Sequence, residues 1–317
     1  MKNVFIAHKL PGEPESLLKQ NGFKVSTHSK NELITRDELI KKIKNADAVI
    51  TLLSNKIDKE VIDAMTKCKI IANYAVGYNN IDVQYAKSKN IIVTNTPDIL
   101  TDATADIAAA LALTAMRRFH EGEYLMRSKK FKGWMPDLLI GMELRGKTAG
   151  IIGAGRIGQE TAKRLKAFGT KIIYVSREKK NAFESETGAK KVSLNYLLKN
   201  SDIISIHLPL NDSTFHLLNS ENMKLIKKSA VLVNTARGEV IDEKYLIKML
   251  KQKKIFAAGF DVYEGEPNVN PELLELKNVY LLPHLGSASI EARSGMAQLC
   301  AKNIIHVLNG KSPVTPV

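Results

Sequence analysis

Gly153-Ala154-Gly155-Arg156-Ile157-Gly158 is a G-x-G-x-x-G run between an apolar segment, Thr148–Ile152, and a helical pattern from about Arg156 to Phe168. Strand, glycine turn and helix in that order make a dinucleotide site. The first glycine permits the tight turn, the second lets backbone approach a pyrophosphate, and the third lets helix and strand pack closely. The pyrophosphate lies over unpaired N–H groups at the helix N-terminus. The end of the next strand selects the cofactor. A carboxylate about 20 residues on would accept hydrogen bonds from a ribose 2′-OH. This chain reads Tyr174-Val175-Ser176-Arg177 there, without one. Ser176 can donate to a 2′-phosphate and Arg177 can meet its charge with a planar fork of donors, which favours NADP(H) and leaves NAD(H) possible.

Three further segments each put polar residues at the C-terminal edge of a strand, where open α/β sheets bind ligands. They are Asn234-Thr235-Ala236-Arg237-Gly238, Asp261-Val262-Tyr263-Glu264-Gly265-Glu266-Pro267 and Pro283-His284-Leu285-Gly286-Ser287-Ala288. Taken singly, Arg237 could be a surface arginine, Glu266 a loop acid and His284 a satisfied histidine. Their joint occurrence behind a dinucleotide loop makes them a candidate constellation.

Such residues need parallel strands to carry them. Short apolar, β-branched runs alternate with helical patterns along most of the chain, the mark of buried parallel strands in βαβ units. The first series is Val4–Ala7, Ala48–Leu53, Ile70–Tyr74 and Ile91–Thr94. The second is Thr148–Ile152, Lys171–Val175, Asp202–His207, Ala230–Asn234, Phe256–Asp261 and Val279–Leu282. Thr35 opens a capping-box helix, Asn21-Gly22 closes the first helix, and Ser193 and Ser220 stand before further helical patterns. Alanine-rich Thr101–Phe119 is expected to form one long helix, and Ser289–Leu308 another. The fold class is therefore α/β, with two doubly wound parallel-sheet domains.

At 317 residues, 44% hydrophobic and 25% charged, the chain has material for two ordinary globular cores. No apolar run approaches the ~18–20 residues of a membrane span. Cys68 and Cys300 fit no metal or redox spacing, so a reduced, cytoplasmic setting without a metal is expected. The formal charge of +14 suits an anionic partner or a solvated lysine surface. No helix-turn-helix, zinc-finger or stacking motif supports nucleic acid as that partner.

Through these blocks the chain resembles the D-isomer-specific 2-hydroxyacid dehydrogenases, over nearly its whole length. The resemblance implies a Rossmann NAD(P)-binding domain, 100–288, inserted into a discontinuous flavodoxin-like substrate domain, 1–99 and 289–317. It implies Arg237, Glu266 and His284 as the catalytic set. Arg237 then holds the keto-acid carboxylate and carbonyl, His284 protonates the carbonyl oxygen as hydride arrives, and Glu266 orients His284 and keeps it protonated. Cofactor contacts are implied for Thr104, for Leu208 and Pro209, for Thr235 and Ala236, and for Asp261, His284 and Gly286, beside the glycine loop, Ser176 and Arg177. Asn73-Tyr74-Ala75-Val76-Gly77-Tyr78 resembles the substrate loop, whose N–H groups at Ala75, Val76 and Gly77 bind the substrate carboxylate. Asp106 stands where many relatives have Glu.

Two features are similar to the glyoxylate/hydroxypyruvate reductase branch: the Tyr-Val-Ser-Arg strand end and Gly133-Trp134-Met135-Pro136. In that branch the tryptophan reaches the partner subunit's substrate pocket, so Trp134 implies a homodimer. An NAD-dependent enzyme of phosphoglycerate or lactate type stays open. So, in another class, does a dinucleotide-sensing corepressor.

Overall fold

In the computed structural model, which describes residues 1–317, the chain separates into two compact units. One is Met1–Leu100 with Ser287–Val317; the other is Thr101–Gly286.

The first unit carries five parallel strands: β1 (Asn3–Ile6), β2 (Lys24–Thr27), β3 (Ala48–Leu52), β4 (Ile70–Tyr74) and β5 (Ile92–Thr94). Their order, β2-β1-β3-β4-β5, is the flavodoxin-like one. Helices α1 (Pro14–Gln20), α2 (Arg36–Ile43), α3 (Lys59–Asp63) and α4 (Val83–Ser88) connect them. Successive strand residues point to opposite faces. Phe5, Val49 and Ile71 therefore pack with Ile43 and Val61 on one side. Ile6, Ile50 and Ile70 pack with Cys300, Ile304 and Leu308 of the C-terminal helix, Ile290–Leu308, on the other. The closing residues return to this sheet, with the Val317 N–H donating to Val93 O at 3.1 Å and the Asn95 N–H to Thr315 O at 3.3 Å. Buried Asn303 fixes that return by accepting the Val314 and Thr315 N–H groups. β2 escapes sequence reading because Lys-Val-Ser-Thr lies on the sheet edge with no buried residue.

The second unit has seven parallel strands: β6 (Thr148–Ile152), β7 (Lys171–Val175), β8 (Lys190–Lys191), β9 (Ile203–Ile206), β10 (Val231–Asn234), β11 (Ala257–Phe260) and β12 (Val279–Leu281). Their order is β12-β11-β10-β9-β6-β7-β8. This is the Rossmann arrangement, with its switch point where β6 lies between β9 and β7. Its helices are α5 (Thr101–Arg117), α6 (Phe119–Arg127), α7 (Arg156–Ala167), α8 (Asn181–Thr187), α9 (Leu194–Asn200), α10 (Glu243–Lys251) and α11 (Pro271–Leu274). The Ile290–Leu308 helix of the first unit is α12.

Two expectations are corrected. Thr101–Phe119 is not one helix: Arg118 takes a left-handed φ of 56° and its guanidinium clamps Glu121 through two 2.8 Å bonds, ending α5 and starting α6. The buried alanine face of α5 ends there, and α6 buries no residue. Glu221–Ile226 forms only a 3-10 turn, Met223–Leu225, without a cap from Ser220. Asn219 and Asn222 instead bond each other's backbone N–H groups and satisfy the turn locally. No helix is long and apolar enough to cross a membrane.

Candidate active site

The glycine loop joins β6 to α7, and each glycine shows a different constraint. Gly153 has φ +98°, and a Cβ there would lie 2.5 Å from His207 O. At Gly158 a Cβ would lie 2.1 Å from Gly153 O. Gly155 has nothing within 4 Å and caps α7 with no side-chain bond to its first turn. The chain thus leaves the N–H groups at the start of α7 uncapped beneath open space, as an anion requires. Ala154 is buried, Ile157 half-buried and Arg156 exposed around this opening.

At the end of β7 the Ser176 hydroxyl donates to Glu178 O. Arg177 is exposed, and the Glu178 carboxylate is drawn 3.6 Å from Lys180. At the end of β9, His207 is half-buried with its Nδ1 shielded from solvent, and its Nε2 lies 2.8 Å from the Ser205 hydroxyl. Burial pushes its pKa down to about 3, so the ring is neutral. Leu208 and Pro209 follow, with Pro209 O accepting the Thr214 hydroxyl at 2.7 Å.

The three polar blocks converge within this unit. Asn234 ends β10 fully buried, accepting the Ala236 N–H at 3.0 Å and donating to Arg237 O at 2.8 Å. This closes a tight loop carrying Thr235, Ala236 and Arg237. Burial lowers the Arg237 pKa, opposed by Glu266 and Glu239; a guanidinium stays charged regardless. Asp261 ends β11, and its two oxygens accept the Leu285 and Gly286 N–H groups at 2.6 and 2.7 Å. The Thr104 hydroxyl donates to Gly286 O at 3.0 Å. Leu282 N bonds Phe260 O on the other side of His284. The imidazole is thereby presented from a left-handed backbone, φ 55°, fixed on both flanks.

His284 Nδ1 lies 2.9 Å from Glu266 Oε2, and Glu266 Oε1 accepts the Tyr263 N–H at 2.9 Å. Burial pushes the Glu266 carboxyl up, but His284, the Tyr263 N–H and Arg237 outweigh it and hold the group below its ordinary range. An ionised Glu266 makes Nδ1 the donor nitrogen, leaving Nε2 for proton exchange. The arrangement is an oriented imidazole with a charged guanidinium on the neighbouring loop, suited to a carbonyl gaining negative charge.

In the first unit, the loop after β4 is organised by two asparagines. Asn73 donates to Gly77 O at 2.9 Å and Asn95 to Val76 O at 2.8 Å. With these carbonyls turned to side chains, the Val76 and Gly77 N–H groups make no bond within the chain. Ala75 is buried, and its own N–H is spent on Asn73 O. Trp134 lies outside any helix or strand and is 82% exposed.

Asn73, Asn234 and Tyr263 lie within the motifs that the sequence singles out but have no role assigned there, and Asn95 lies outside those motifs. Their signal was position: amide or phenol groups at the ends of apolar strands. His207 carried the same signal, a polar residue closing a buried strand.

A family model, "D-isomer specific 2-hydroxyacid dehydrogenase, NAD binding domain", matches residues 109–286. A glyoxylate reductase of Thermococcus kodakarensis is 48% identical over 318 residues, covering 99% of this chain and 95% of that one. Among solved structures, a Thermus thermophilus protein has a TM-score of 0.94 at 38% identity, covering 99% of each chain. An NADPH-dependent glyoxylate/hydroxypyruvate reductase of Sinorhizobium meliloti, solved with NADP and malonate, has a TM-score of 0.87 at 31% identity, covering 100% of this chain and 96% of that one. The chain belongs to the D-isomer-specific 2-hydroxyacid dehydrogenases and is an NAD(P)-dependent oxidoreductase.

Proposed function

We propose that the protein reduces a small 2-keto acid, glyoxylate or hydroxypyruvate, to the D-2-hydroxy acid with NADPH as the preferred donor. The observation carrying this reading is the 2.9 Å His284–Glu266 pair, with Nε2 available, between the Arg237 loop and the Asp261 anchor. The reduced nicotinamide, when bound, supplies the hydride. The chain's own residues do the rest. Glu266 holds the His284 ring by Nδ1, and Nε2 delivers a proton to the carbonyl oxygen. Arg237 stabilises the negative charge growing there. The unpaired Val76 and Gly77 N–H groups suit the substrate carboxylate. Gly153, Gly155, Gly158 and the start of α7 would hold the pyrophosphate. Thr104, Leu208, Pro209, Thr235, Ala236, Asp261 and Gly286 would line the rest of the dinucleotide.

Arg177 is the main support for NADPH. The Ser176 hydroxyl already donates to Glu178 O, whereas the Arg177 side chain is exposed at the strand end and Glu178 is drawn to Lys180. Exposed apolar residues concentrated between 119 and 140, namely Phe119, Tyr124, Met126, Phe131, Trp134 and Ile140, support a homodimer, since apolar side chains left in water suit an association site. A panel of 2-keto acids assayed with both NADPH and NADH tests the reading. Activity with glyoxylate or hydroxypyruvate and a lower KM for NADPH is expected. Equal use of NADH, or a strict preference for it, would overturn the cofactor assignment.

A further inference from the structure

We propose that His216 is a positioning residue: it joins the Arg237 loop to the Glu266 loop and so fixes the carboxylate that orients His284. This rests on the reading of Arg237, Glu266 and His284 given above.

His216 lies between β9 and β10 with φ 45°, a left-handed conformation uncommon outside glycine. Strain of this kind persists only where surroundings impose it. Two bonds impose it here. The His216 N–H donates to Glu239 O at 2.8 Å, two residues beyond Arg237. Its ring Nε2 lies 3.2 Å from Glu264 Oε1, two residues before Glu266. Phe215 stacks on the ring, centroids 4.1 Å apart and planes within 15°. One residue therefore holds both loops, by backbone on one side and side chain on the other.

The Glu264 end is held again at its backbone, whose N–H donates to Glu243 Oε2 at 3.2 Å. Tyr263, the preceding residue, donates to Glu266 itself. A shift of Glu264 would thus be passed to the carboxylate that holds His284 Nδ1. The charges sharpen this dependence. Glu264 and Glu243 repel each other, Glu239 and Glu266 both face Arg237, and His216 is the group that engages the Glu264 side chain.

The His216–Glu264 pair is about one-third exposed, 32% and 36%, and exposed pairs contribute little to stability. Its effect should therefore appear in turnover rather than folding. Misplacing catalytic groups by about an ångström costs on the order of a hundredfold, and loosening one of several anchors should cost roughly tenfold.

The test uses the full-length protein with His216→Ala, His216→Gln, Glu264→Ala and the double variant His216→Ala/Glu264→Ala. Turnover, KM for the keto acid and for the dinucleotide, and Tm are measured for each. The expected result is about a tenfold loss of kcat in His216→Ala and Glu264→Ala, with dinucleotide KM and Tm nearly unchanged. The glutamine, whose amide N–H can reach Glu264, should restore most of the rate, and the double variant should be no worse than either single one. A kcat within twofold of wild type in His216→Ala, equal loss in the alanine and glutamine variants, or fully multiplying losses would overturn the proposal. An active wild type with an unaffected His216→Ala removes this inference alone. A wild type inactive on every 2-keto acid removes the reading beneath it, and this inference with it.

Discussion

Gly238→Ala is a single methyl addition whose consequence can be worked from the structure. Gly238 follows Arg237, and a Cβ there would lie 1.9 Å from Tyr263 C and 2.1 Å from Glu264 N. Both are backbone atoms, so no side-chain rotation relieves the clash. Ordinary contact begins at 3.4 Å, so the Arg237 and Glu266 loops must separate by more than an ångström. Glu266 holds His284 at 2.9 Å, and that separation either breaks the bond or drags the imidazole with it. A displacement of about 1 Å costs roughly a hundredfold in rate. Overpacking a filled site costs a further ~1–3 kcal/mol of stability. Gly155→Ala is the matched control, because a Cβ there meets nothing within 4 Å. Steady-state kinetics, dinucleotide fluorescence titration and thermal unfolding separate the two. Gly238→Ala should lose about a hundredfold in kcat and some Tm while still binding the dinucleotide. Gly155→Ala should keep its Tm and bind the dinucleotide more weakly. A Gly238→Ala enzyme with kcat within twofold of wild type would refute the coupling of the two loops.

Two further perturbations read other parts of the site. Ser176→Asp puts a carboxylate beside Arg177, which should repel a 2′-phosphate and lower the NADPH/NADH ratio of kcat/KM at least tenfold; an unchanged ratio would show that this strand end does not read the ribose. His207 is held neutral, with a pKa of about 3 in the fold against an ordinary 6.5. The unfolded chain therefore binds the extra proton between those values, so the stability contribution is complete above about pH 6.5 and is lost as pH falls toward 3. At pH 5 the loss relative to neutral pH is on the order of 2 kcal/mol, by urea unfolding, and His207→Gln should lack it. An identical pH dependence in that variant would assign the effect elsewhere.

Much of this architecture was legible where physics is local. β4, β6 and β7 were read to the residue, because buried parallel strands are short apolar runs with abrupt ends. The edge strands β2 and β8 were not, since Lys-Val-Ser-Thr and Lys-Lys bury no residue and leave no apolar pattern. The break at Arg118 depends on a left-handed arginine clamped to Glu121, and alanine propensity gives no hint of it. The glycine loop, Arg237, Glu266 and His284 stood out because each lies beside a strand end within a short motif. His216 did not, because its partners are at Glu239 and Glu264, far along the chain, and only the fold brings them together. The +14 charge also reads differently against the fold. Arg237 has a defined place on the loop after β10, Arg156 opens α7, and Arg177 is exposed at the end of β7.

The central claim, that His284 is the proton donor to a 2-keto acid, meets its most direct test in His284→Ala. Turnover of glyoxylate and hydroxypyruvate with NADPH is compared with wild type, and dinucleotide binding is titrated on the same samples. The account predicts loss of most turnover with dinucleotide affinity nearly intact, because Asp261, Gly286 and the start of α7 are left in place. Near-normal turnover in the alanine variant would contradict it.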